Sequence, residues 1–214
     1  MKNYSTVFLY LILACLFLAC AENTDAEDPV LQEDFASRME GEAYLGSAKS
    51  TLFLHGYEKL PSVDGEGSFS LAEVAGDSVT LALVVELTTG DGFTLGIPGI
   101  QIGSAWKASL AGGEFAIRDN GEMSGSVITT TQEISWDGHL FADKIFLDVR
   151  SKYLIQEDNI TEGSIFLTHL ELYRSSTQGG SSGNDCKNIV WQNRAVFNIH
   201  SGGVDMMSVP VCTD

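Results

Sequence analysis

Apolar and polar residues alternate between Ser78 and Leu87, and the alternation holds for ten residues. One parity carries only aliphatic side chains and the other is mixed: Val79, Leu81, Leu83, Val85 and Leu87 stand against Ser78, Thr80, Ala82, Val84 and Glu86. A period of two places these sets on opposite faces of a strand. The pattern therefore predicts a half-buried antiparallel strand.

Further β-prone runs follow the same rhythm, at residues 50–55, 67–74, 106–110, 114–118, 124–136, 139–153 and 162–173. Asp-Gly and Asn-Gly pairs, which favour tight turns, separate several of these runs. Among them, Asp137-Gly138 predicts the turn of the longest hairpin. Residues 93–102 are rich in glycine and contain Pro98, so we expect an irregular excursion there rather than a long strand.

About eight strands joined by hairpins, without a long amphipathic helical pattern, predict an all-β domain. The pattern is compatible with a sandwich or with an antiparallel up-and-down barrel. A closed barrel has no exposed strand edges, and its interior holds side chains or one small ligand. We expect an up-and-down barrel of about eight strands.

Near the N-terminus Lys2 supplies a positive charge, and an unbroken apolar run follows over residues 7–21. These 15 residues are too few to cross a hydrocarbon core as a helix, which takes about 20. A short positive region followed by such a run is typical of a secretory signal peptide.

The end of this apolar run resembles a bacterial lipobox, because Leu18 and Ala19 directly precede Cys20. In lipoproteins a dedicated peptidase cuts before this cysteine, and the sulfur carries diacylglycerol. The resemblance implies that Cys20 is the first residue of the mature protein and the site of its lipid. Phe17 departs from the leucine that is usual at its position.

Two alternatives stay open at this point of the chain. Cleavage after Ala21 by an ordinary signal peptidase would release a soluble protein. Cys15 is a second candidate for lipidation, although it would leave an apolar segment exposed behind it. Two or more acyl chains hold a protein at a membrane far longer than one, so lipidation at either cysteine would anchor the protein, whereas cleavage after Ala21 would release it.

Residues 20–40 contain seven acidic residues and one basic residue, Arg38, without a core-forming pattern. Such a stretch repels itself and predicts an extended, disordered tether. It resembles the acidic export signal of Bacteroidetes-type lipoproteins, which implies an outer-membrane protein that faces the cell exterior. A simple solvated linker is the other interpretation, and the two are compatible.

The formal net charge of the chain is −17. Because such a surface repels phosphate groups, we expect no nucleic-acid partner. The same repulsion argues against adsorption to anionic lipid. We therefore expect the membrane to be a partner through the N-terminal lipid alone.

Residues 175–185 are rich in glycine and serine and predict a flexible linker. Cys186 and Cys212 then bracket a last segment, in which a strand, a glycine turn and a shorter return strand are expected. Exported chains enter an oxidising compartment, so we expect a disulfide between these cysteines, with two free thiols as the alternative. Closing this loop would stabilise the fold by roughly 3.5 kcal/mol.

Four stretches of the body resemble the calycin-like (lipocalin-like) β-barrel domain of Bacteroidetes surface lipoproteins. They are Gly-Ser-Phe-Ser-Leu from residue 67, Asp-Ser-Val-Thr-Leu-Ala-Leu from residue 77, Thr-Leu-Gly-Ile-Pro-Gly-Ile from residue 94, and the segment from Gly-Glu-Met-Ser-Gly-Ser at residue 121 to Asp-Gly-His-Leu at residue 137. The resemblance spans residues 41–174 and rests on strand rhythm. It implies a barrel of a class that often binds small apolar ligands, and it identifies no ligand-contacting residue.

Catalytic signatures are scarce in this sequence. Residues 179–183 match G-x-S-x-G with Ser181 in the nucleophile position, but that motif needs a strand before it and a helix after it. Motifs for metalloproteases, phosphate loops and dinucleotide sites are absent. The four histidines lie on separate runs and show no metal-ligand spacing: His55, His139, His169 and His200. We therefore expect no catalytic residue, no metal site and no cofactor.

Two kinds of residue are candidates for a ligand site. Asp143 shares the parity of the apolar residues around it, so it is predicted either to face the interior or to reach water at the barrel end. The three tryptophans, Trp106, Trp136 and Trp191, suit sugar stacking as well as core packing.

These observations predict five segments: a lipoprotein signal peptide (1–19), an acidic disordered tether (20–40), a calycin-like barrel (41–174), a linker (175–185) and a disulfide-closed β segment (186–214). The expected function is that of a lipid-anchored surface lipoprotein, not an enzyme, that binds an unknown small apolar or glycan-derived ligand. The alternatives are a structural or interaction protein with a packed barrel and no ligand and, as a minor one, an extracellular hydrolase.

Overall fold

The computed structural model describes residues 34–39, 42–55, 57–156, 160–176, 189–198 and 203–212. A short helix, α1 (Phe35–Met39), comes first among these residues. The strands follow in chain order: β1 (Glu42–Leu54), β2 (Glu58–Lys59), β3 (Val63–Ala75), β4 (Ser78–Leu87), β5 (Gly92–Ile102), β6 (Ala105–Leu110), β7 (Gly113–Ile117), β8 (Glu122–Ile128), β9 (Gln132–Leu140), β10 (Lys144–Tyr153), β11 (Ile165–Ser176), β12 (Ile189–Asn198) and β13 (Gly203–Cys212).

Ten of these strands close into an antiparallel barrel. Around the barrel the order is β1, β3, β4, β5, β6, β7, β8, β9, β10 and β11, so each strand pairs with the next one along the chain once β2 is set aside. The ring closes where β11 pairs with β1. This confirms the predicted all-β, up-and-down architecture, but the barrel has ten strands rather than about eight.

One reason for the larger count is that residues 92–102, which include the predicted irregular excursion, form the regular strand β5. Glycine serves close packing here rather than breaking the strand. A Cβ at Gly99 would lie 2.5 Å from Cε2 of Trp106, so the missing side chain makes room for the indole ring inside the barrel.

The second reason is that the predicted long hairpin has its turn elsewhere. Asp137-Gly138 lies within β9, where a Cβ at Gly138 would collide with the carbonyl oxygen of Phe146 on β10. The chain turns earlier, after Ile128. There the Thr129 hydroxyl accepts a hydrogen bond from the Gln132 N–H at 2.9 Å and donates one to the Gln132 carbonyl at 3.0 Å. A threonine-based turn therefore divides one predicted strand into β8 and β9.

The inward side chains of the ten strands pack against one another and fill the barrel. The largest of them are below 2 % exposed: Trp106, Phe69, Phe115, Leu81, Leu83, Ile97, Ile117, Met123, Ile145 and Leu147. Trp136 lies among them, with its ring centroid 4.8 Å from that of Phe115 and 6.1 Å from that of Trp106. Each such side chain contributes about 1.5–3 kcal/mol through burial. The described interior is thus a hydrophobic core.

The helix α1 closes the barrel end that carries the β5–β6 turn. Phe35 is fully buried, and its ring stacks on Trp106 at 6.5 Å between centroids. The backbone N–H of Phe35 donates to the carbonyl of Gly103, in the turn, at 2.9 Å. Arg38 donates from its guanidinium to the carbonyl of Ser104 at 3.3 Å.

The predicted disordered tether, residues 20–40, includes this helix, and the structure differs from the prediction there. Phe35, Ala36 and Met39 are buried, because one helical turn brings them to the same side. Five residues are too few for a helical period to stand out in the sequence. Residues 20–33 lie outside the described residues.

The hairpin of β12 and β13 packs on the outside of the barrel. Its strands pair over ten positions, so the return strand is as long as the first. Val209 of β13 is fully buried against Ala82 and Val84 of β4. As a result both faces of β4 are covered, and the predicted half-buried strand is in fact buried on its outer face as well, with Thr80 only 7 % exposed.

Candidate functional site

The strands β5 and β6 separate along part of their length. Three residue pairs join them, all next to the β5–β6 turn: Ile100↔Lys107, Gln101↔Trp106 and Ile102↔Ala105. Nearer its start, β5 pairs in parallel with β12, at Leu95 and Gly96. The C-terminal hairpin therefore occupies the edge of β5 that β6 leaves.

A depression of about 640 Å³ lies where β12 and β5 stop pairing; we call it the β5–β12 cleft. Val85, Leu87 and Phe93 give it an apolar side that continues into the barrel core. Ala195 of β12 forms the facing wall, and Asp91 lies in the β4–β5 turn beside it. This size falls in the range of small-molecule sites, about 300–1,000 Å³.

The β4–β5 turn shapes one wall of the cleft. The Leu87 N–H donates to the Asp91 carbonyl, and the Gly90 N–H donates to the Leu87 carbonyl, both at 2.8 Å. Gly90 has a φ of 87°, in the left-handed region that glycine adopts without strain. At Gly92 a Cβ would collide with the carbonyl oxygen of Val85. The two glycines thus allow a tight turn with the strands in close contact.

Charged side chains lie on the rim of the cleft. Arg194 of β12 forms an ion pair with Glu86 of β4, and the two side chains are 27 % and 50 % exposed. A partly exposed ion pair of this kind contributes about 0–1 kcal/mol to stability, so it helps to orient the hairpin but adds little to the free energy of its docking. Because Arg194 balances Glu86, the carboxylate of Asp91 leaves this rim negative.

The predicted lipid and disulfide sites fall mostly outside the described residues. Cys20 and Cys186 both lie there, as do Ser181 and His200. Cys212 is described only as the last residue of β13, where it stands opposite Ile189. Cys186 precedes Ile189 by three positions in the sequence. Cys212 therefore lies at the end of the hairpin that is nearest to Cys186 along the chain.

Asp143 does not face the interior. It lies exposed in the turn between β9 and β10, and its carbonyl accepts the Arg174 N–H at 2.8 Å. Of the two predicted positions, the structure therefore bears out the one at the barrel end, in contact with water. The parity pointed inward because β10 begins only at Lys144, so the strand period does not extend back to residue 143. Among the tryptophans, Trp191 is 41 % exposed on β12, whereas the other two belong to the core.

The described histidines lie on separate parts of the barrel. His55 follows β1 and stacks on Tyr57, His139 packs against Phe141 at 4.2 Å, and the His169 ring nitrogen is 2.7 Å from an Asp148 carboxylate oxygen. In the part of the chain that the structure describes, no three or more His, Cys, Asp or Glu residues are grouped as a metal site would require. Within the same residues no helix has the length and apolarity to cross a membrane.

Sequence reasoning did not find the cleft. Its wall residues include Asp91-Gly92, which the sequence indicates only as a turn, and Phe93, which lies in the predicted excursion. Ala195 belongs to a segment predicted to follow a linker. No local signal joins these positions, because the contact depends on where β12 docks.

No family model matches this chain, and no curated protein matches it. A solved structure that does match is "Structure of S-type Phycobiliprotein Lyase CPES from Guillardia theta". The match covers 67% of this chain and 92% of that chain, with 8% sequence identity and a TM-score of 0.43.

That protein is a lyase by name, and this corrects the prediction that the present chain is not an enzyme. The prediction is therefore withdrawn. At this TM-score the match carries no argument about activity, ligand or mechanism.

Proposed function

We propose that this chain is a binding module whose ligand site is the β5–β12 cleft rather than the centre of the barrel. The cleft itself carries the proposal: about 640 Å³ of open space with an apolar side formed by Val85, Leu87 and Phe93. The inward positions of the barrel are taken up by large side chains such as Trp106 and Trp136. Its lining combines these apolar side chains with polar and charged ones, and small-ligand sites likewise place a few polar groups on apolar walls.

Filling the cleft tests this proposal. Nile red, a neutral apolar dye, is titrated into the full chain carrying Cys20→Ala, which avoids a lipid and the need for detergent. Ala195→Trp places a bulky ring in the cleft and is expected to weaken dye binding by at least about tenfold, as steric exclusion of a bound ligand does. Ala142→Trp, at an exposed position in another turn, is the matched control.

Equal dye binding by Ala195→Trp and Ala142→Trp would rule out the cleft as the ligand site. Unfolding curves of both variants show whether either substitution disturbs the fold. Reduced binding by Ala195→Trp alone, in a folded protein, supports the cleft.

We also propose that the module is a calycin-like lipoprotein held at the outer membrane, facing the cell exterior, by a lipid on Cys20. The lipobox and the acidic residues that follow it support this anchor. The test is metabolic labelling with an alkyne fatty acid. Label is expected on the natural chain and on Cys15→Ala, and its persistence on Cys20→Ala would disprove the assignment.

Within the C-terminal hairpin we propose a disulfide between Cys186 and Cys212. The register of β12 and β13, with Cys212 opposite Ile189, is compatible with this bond. Mass spectrometry of unreduced, alkylated protein is expected to show no thiol at either position. Alkylation of both would refute the bond.

A second candidate function is interaction with a partner protein. It is favoured by apolar side chains that the hairpin leaves exposed, namely Val190 at 44 %, Trp191 at 41 % and Met206 at 68 %. Aromatic and aliphatic side chains of this kind are common at protein interfaces.

A further inference from the structure

One edge of β12 is covered by strand pairing over only a short part of its length. On its other side β12 pairs with β13 over ten positions. Towards the cleft, two residue pairs join it to β5, at Phe197 and Asn198. Among the described strands none pairs with residues 189–196 on this side. The backbone N–H and C=O groups of alternate residues there point away from β13, and Ala195, one of residues 189–196, lines the cleft.

Of the features that normally block strand pairing at an edge, β12 has only the charge of Arg194, and that charge is paired with Glu86 of the barrel. Natural edge strands are protected by proline, lysine or charges that point inward. The outer strand of the hairpin, β13, contains Pro210. By contrast, β12 reads Ile-Val-Trp-Gln-Asn-Arg-Ala-Val-Phe-Asn, with neither proline nor lysine.

The space beside this edge is already part of the cleft. Pairing with β5 ends at Phe197, and Ala195, two residues earlier, is a wall of the depression. A further strand would lie about 4.8 Å from β12 in the hydrogen-bonding direction. Leu87 and Phe93 line the same depression, so a strand added there would have apolar side chains beside it.

Charge indicates the kind of strand that fits. Asp91 and Glu86 lie on the rim of the cleft. Glu86 already forms an ion pair with Arg194 of the same chain, so Asp91 is the carboxylate left for a ligand. The chain as a whole has a net charge of −17. Complementary charge speeds association and disfavours acidic partners.

We propose that β12 binds an extended, basic peptide segment of a partner protein by strand addition in the β5–β12 cleft. The backbone of β12 supplies hydrogen bonds, the apolar side of the cleft takes alternate side chains of the peptide, and Asp91 attracts its basic residues. This inference rests on the proposed binding function, since both use the same cleft.

The test uses a fluorescently labelled nine-residue peptide of alternating lysine and valine, titrated into the full chain with Cys20→Ala. Two further peptides carry N-methyl groups on all valines or on all lysines, which blocks opposite edges of the extended peptide. One methylated peptide is expected to lose at least about tenfold in affinity, since each lost hydrogen bond is worth about 1 kcal/mol. The other is expected to bind like the parent. Equal binding by all three peptides, or equal loss in both methylated ones, would overturn addition at one edge.

Matched variants test the charge term. Asp91→Asn removes a carboxylate at the cleft and is expected to weaken peptide binding by about two- to fivefold, the usual effect of an exposed ion pair. Asp77→Asn changes the equivalent turn at the opposite end of β4 and is expected to leave binding unchanged. An equal effect of the two variants would overturn the role of Asp91.

Failure of this inference is distinguishable from failure of the proposed function. If the peptide does not bind while Nile red binding still depends on Ala195, strand addition is wrong and the cleft remains a small-molecule site. If Ala195→Trp affects neither the dye nor the peptide, both proposals are wrong.

Discussion

Two buried tryptophans in the barrel core differ in the hydrogen bonding of their indole groups. Nε1 of Trp106 donates to the carbonyl of Val79 at 2.9 Å. Nε1 of Trp136 is buried and has no hydrogen-bond partner among the described residues. Both rings are almost wholly buried, at 1 % and 4 % exposure, so the comparison isolates the polar atom.

This difference predicts unequal costs for the same substitution. Trp106→Phe removes a satisfied donor, whereas Trp136→Phe removes an unsatisfied one, so we expect Trp106→Phe to be more destabilising by about 1–3 kcal/mol. Urea unfolding of the two variants measures the difference in free energy of unfolding. Equal costs would mean that Trp136 has a partner in solution, such as a buried water molecule.

Tyr173 predicts a pH effect at the outer surface. Its hydroxyl donates to the Glu171 carboxylate, and this hydrogen bond, followed by desolvation and the charges of Glu171 and Asp143, raises the pKa of Tyr173 above the ordinary 10.0. The folded state therefore holds this proton more tightly than the unfolded state. The contribution to stability is complete below pH 10.0 and is lost as the pH rises through the raised pKa.

Glu171→Gln is expected to lower the pKa of Tyr173, because it removes the main cause of the shift. Asp143→Asn is expected to lower it less, since Asp143 makes the smallest contribution. Ultraviolet titration of tyrosinate in each variant, with Tyr173→Phe as the reference, reports the change. A larger effect of Asp143→Asn would contradict the assignment.

Among the secondary-structure elements, the short helix α1 at the end of the barrel is one that the sequence pattern did not predict. Phe35 fills the end of the core beside Trp106, while Ser37 on the same helix is exposed. Phe35→Ala is expected to lower the free energy of unfolding by about 3–5 kcal/mol, the usual cost of removing a buried phenyl ring. Ser37→Ala, the control, should stay within about 0.5 kcal/mol of the natural chain.

Chemical denaturation of Phe35→Ala and Ser37→Ala measures both values. Similar stability of the two variants would show that α1 does not close the barrel. The sequence does not reveal the helix, because acidic residues dominate the composition of the predicted tether, of which the helix is the last part.

The strands show how far local patterns reach. The alternation in β4 correctly indicates its inward face, since Val79, Leu81 and Leu83 are all in the core. The same reasoning is wrong at Gly138, where a glycine favours a turn locally but is needed within β9 for close contact with β10. The preference of Asp-Gly for a turn contributes less free energy than the pairing of β9 with β10 along their whole length. The conformation at Gly138 is therefore set by the neighbouring strand.

At the scale of the whole molecule, the hairpin of β12 and β13 turns part of the outer barrel surface into a second, smaller core. Val209→Asp places a charge against Ala82 and Val84, so we expect it to destabilise hairpin docking by roughly 3 kcal/mol or more. Met206→Asp, at a position of the same strand that is 68 % exposed, should have little effect. Amide hydrogen exchange in β12 and β13 reports docking.

Faster exchange in both strands of Val209→Asp, with normal exchange in the barrel, is the expected outcome. If Met206→Asp exchanges as fast as Val209→Asp, the hairpin is not held by this contact. The result also bears on the β5–β12 cleft, which loses the wall formed by Ala195 when the hairpin detaches.

Features that depend on near neighbours along the chain can be read from the sequence alone. A period of two marks inward faces, and runs of strands without helical periodicity indicate an all-β meander, either a barrel or a sandwich. The pairing of β11 with β1, which closes the barrel, is seen only in the tertiary structure. The lipobox at Cys20 is equally local, and lipidation there stays a prediction. Such features are legible because the interacting residues lie within a few positions of one another.

Tertiary structure alone decided the number of strands, the burial of both faces of β4 and the existence of the cleft. Each of these depends on residues that are distant in sequence, as Phe93 and Ala195 are at the cleft. They line one cleft because β5 diverges from β6 and β12 docks on the edge of β5 that this divergence exposes. Alternation within a strand specifies which face is apolar, but it does not specify which distant segment covers that face.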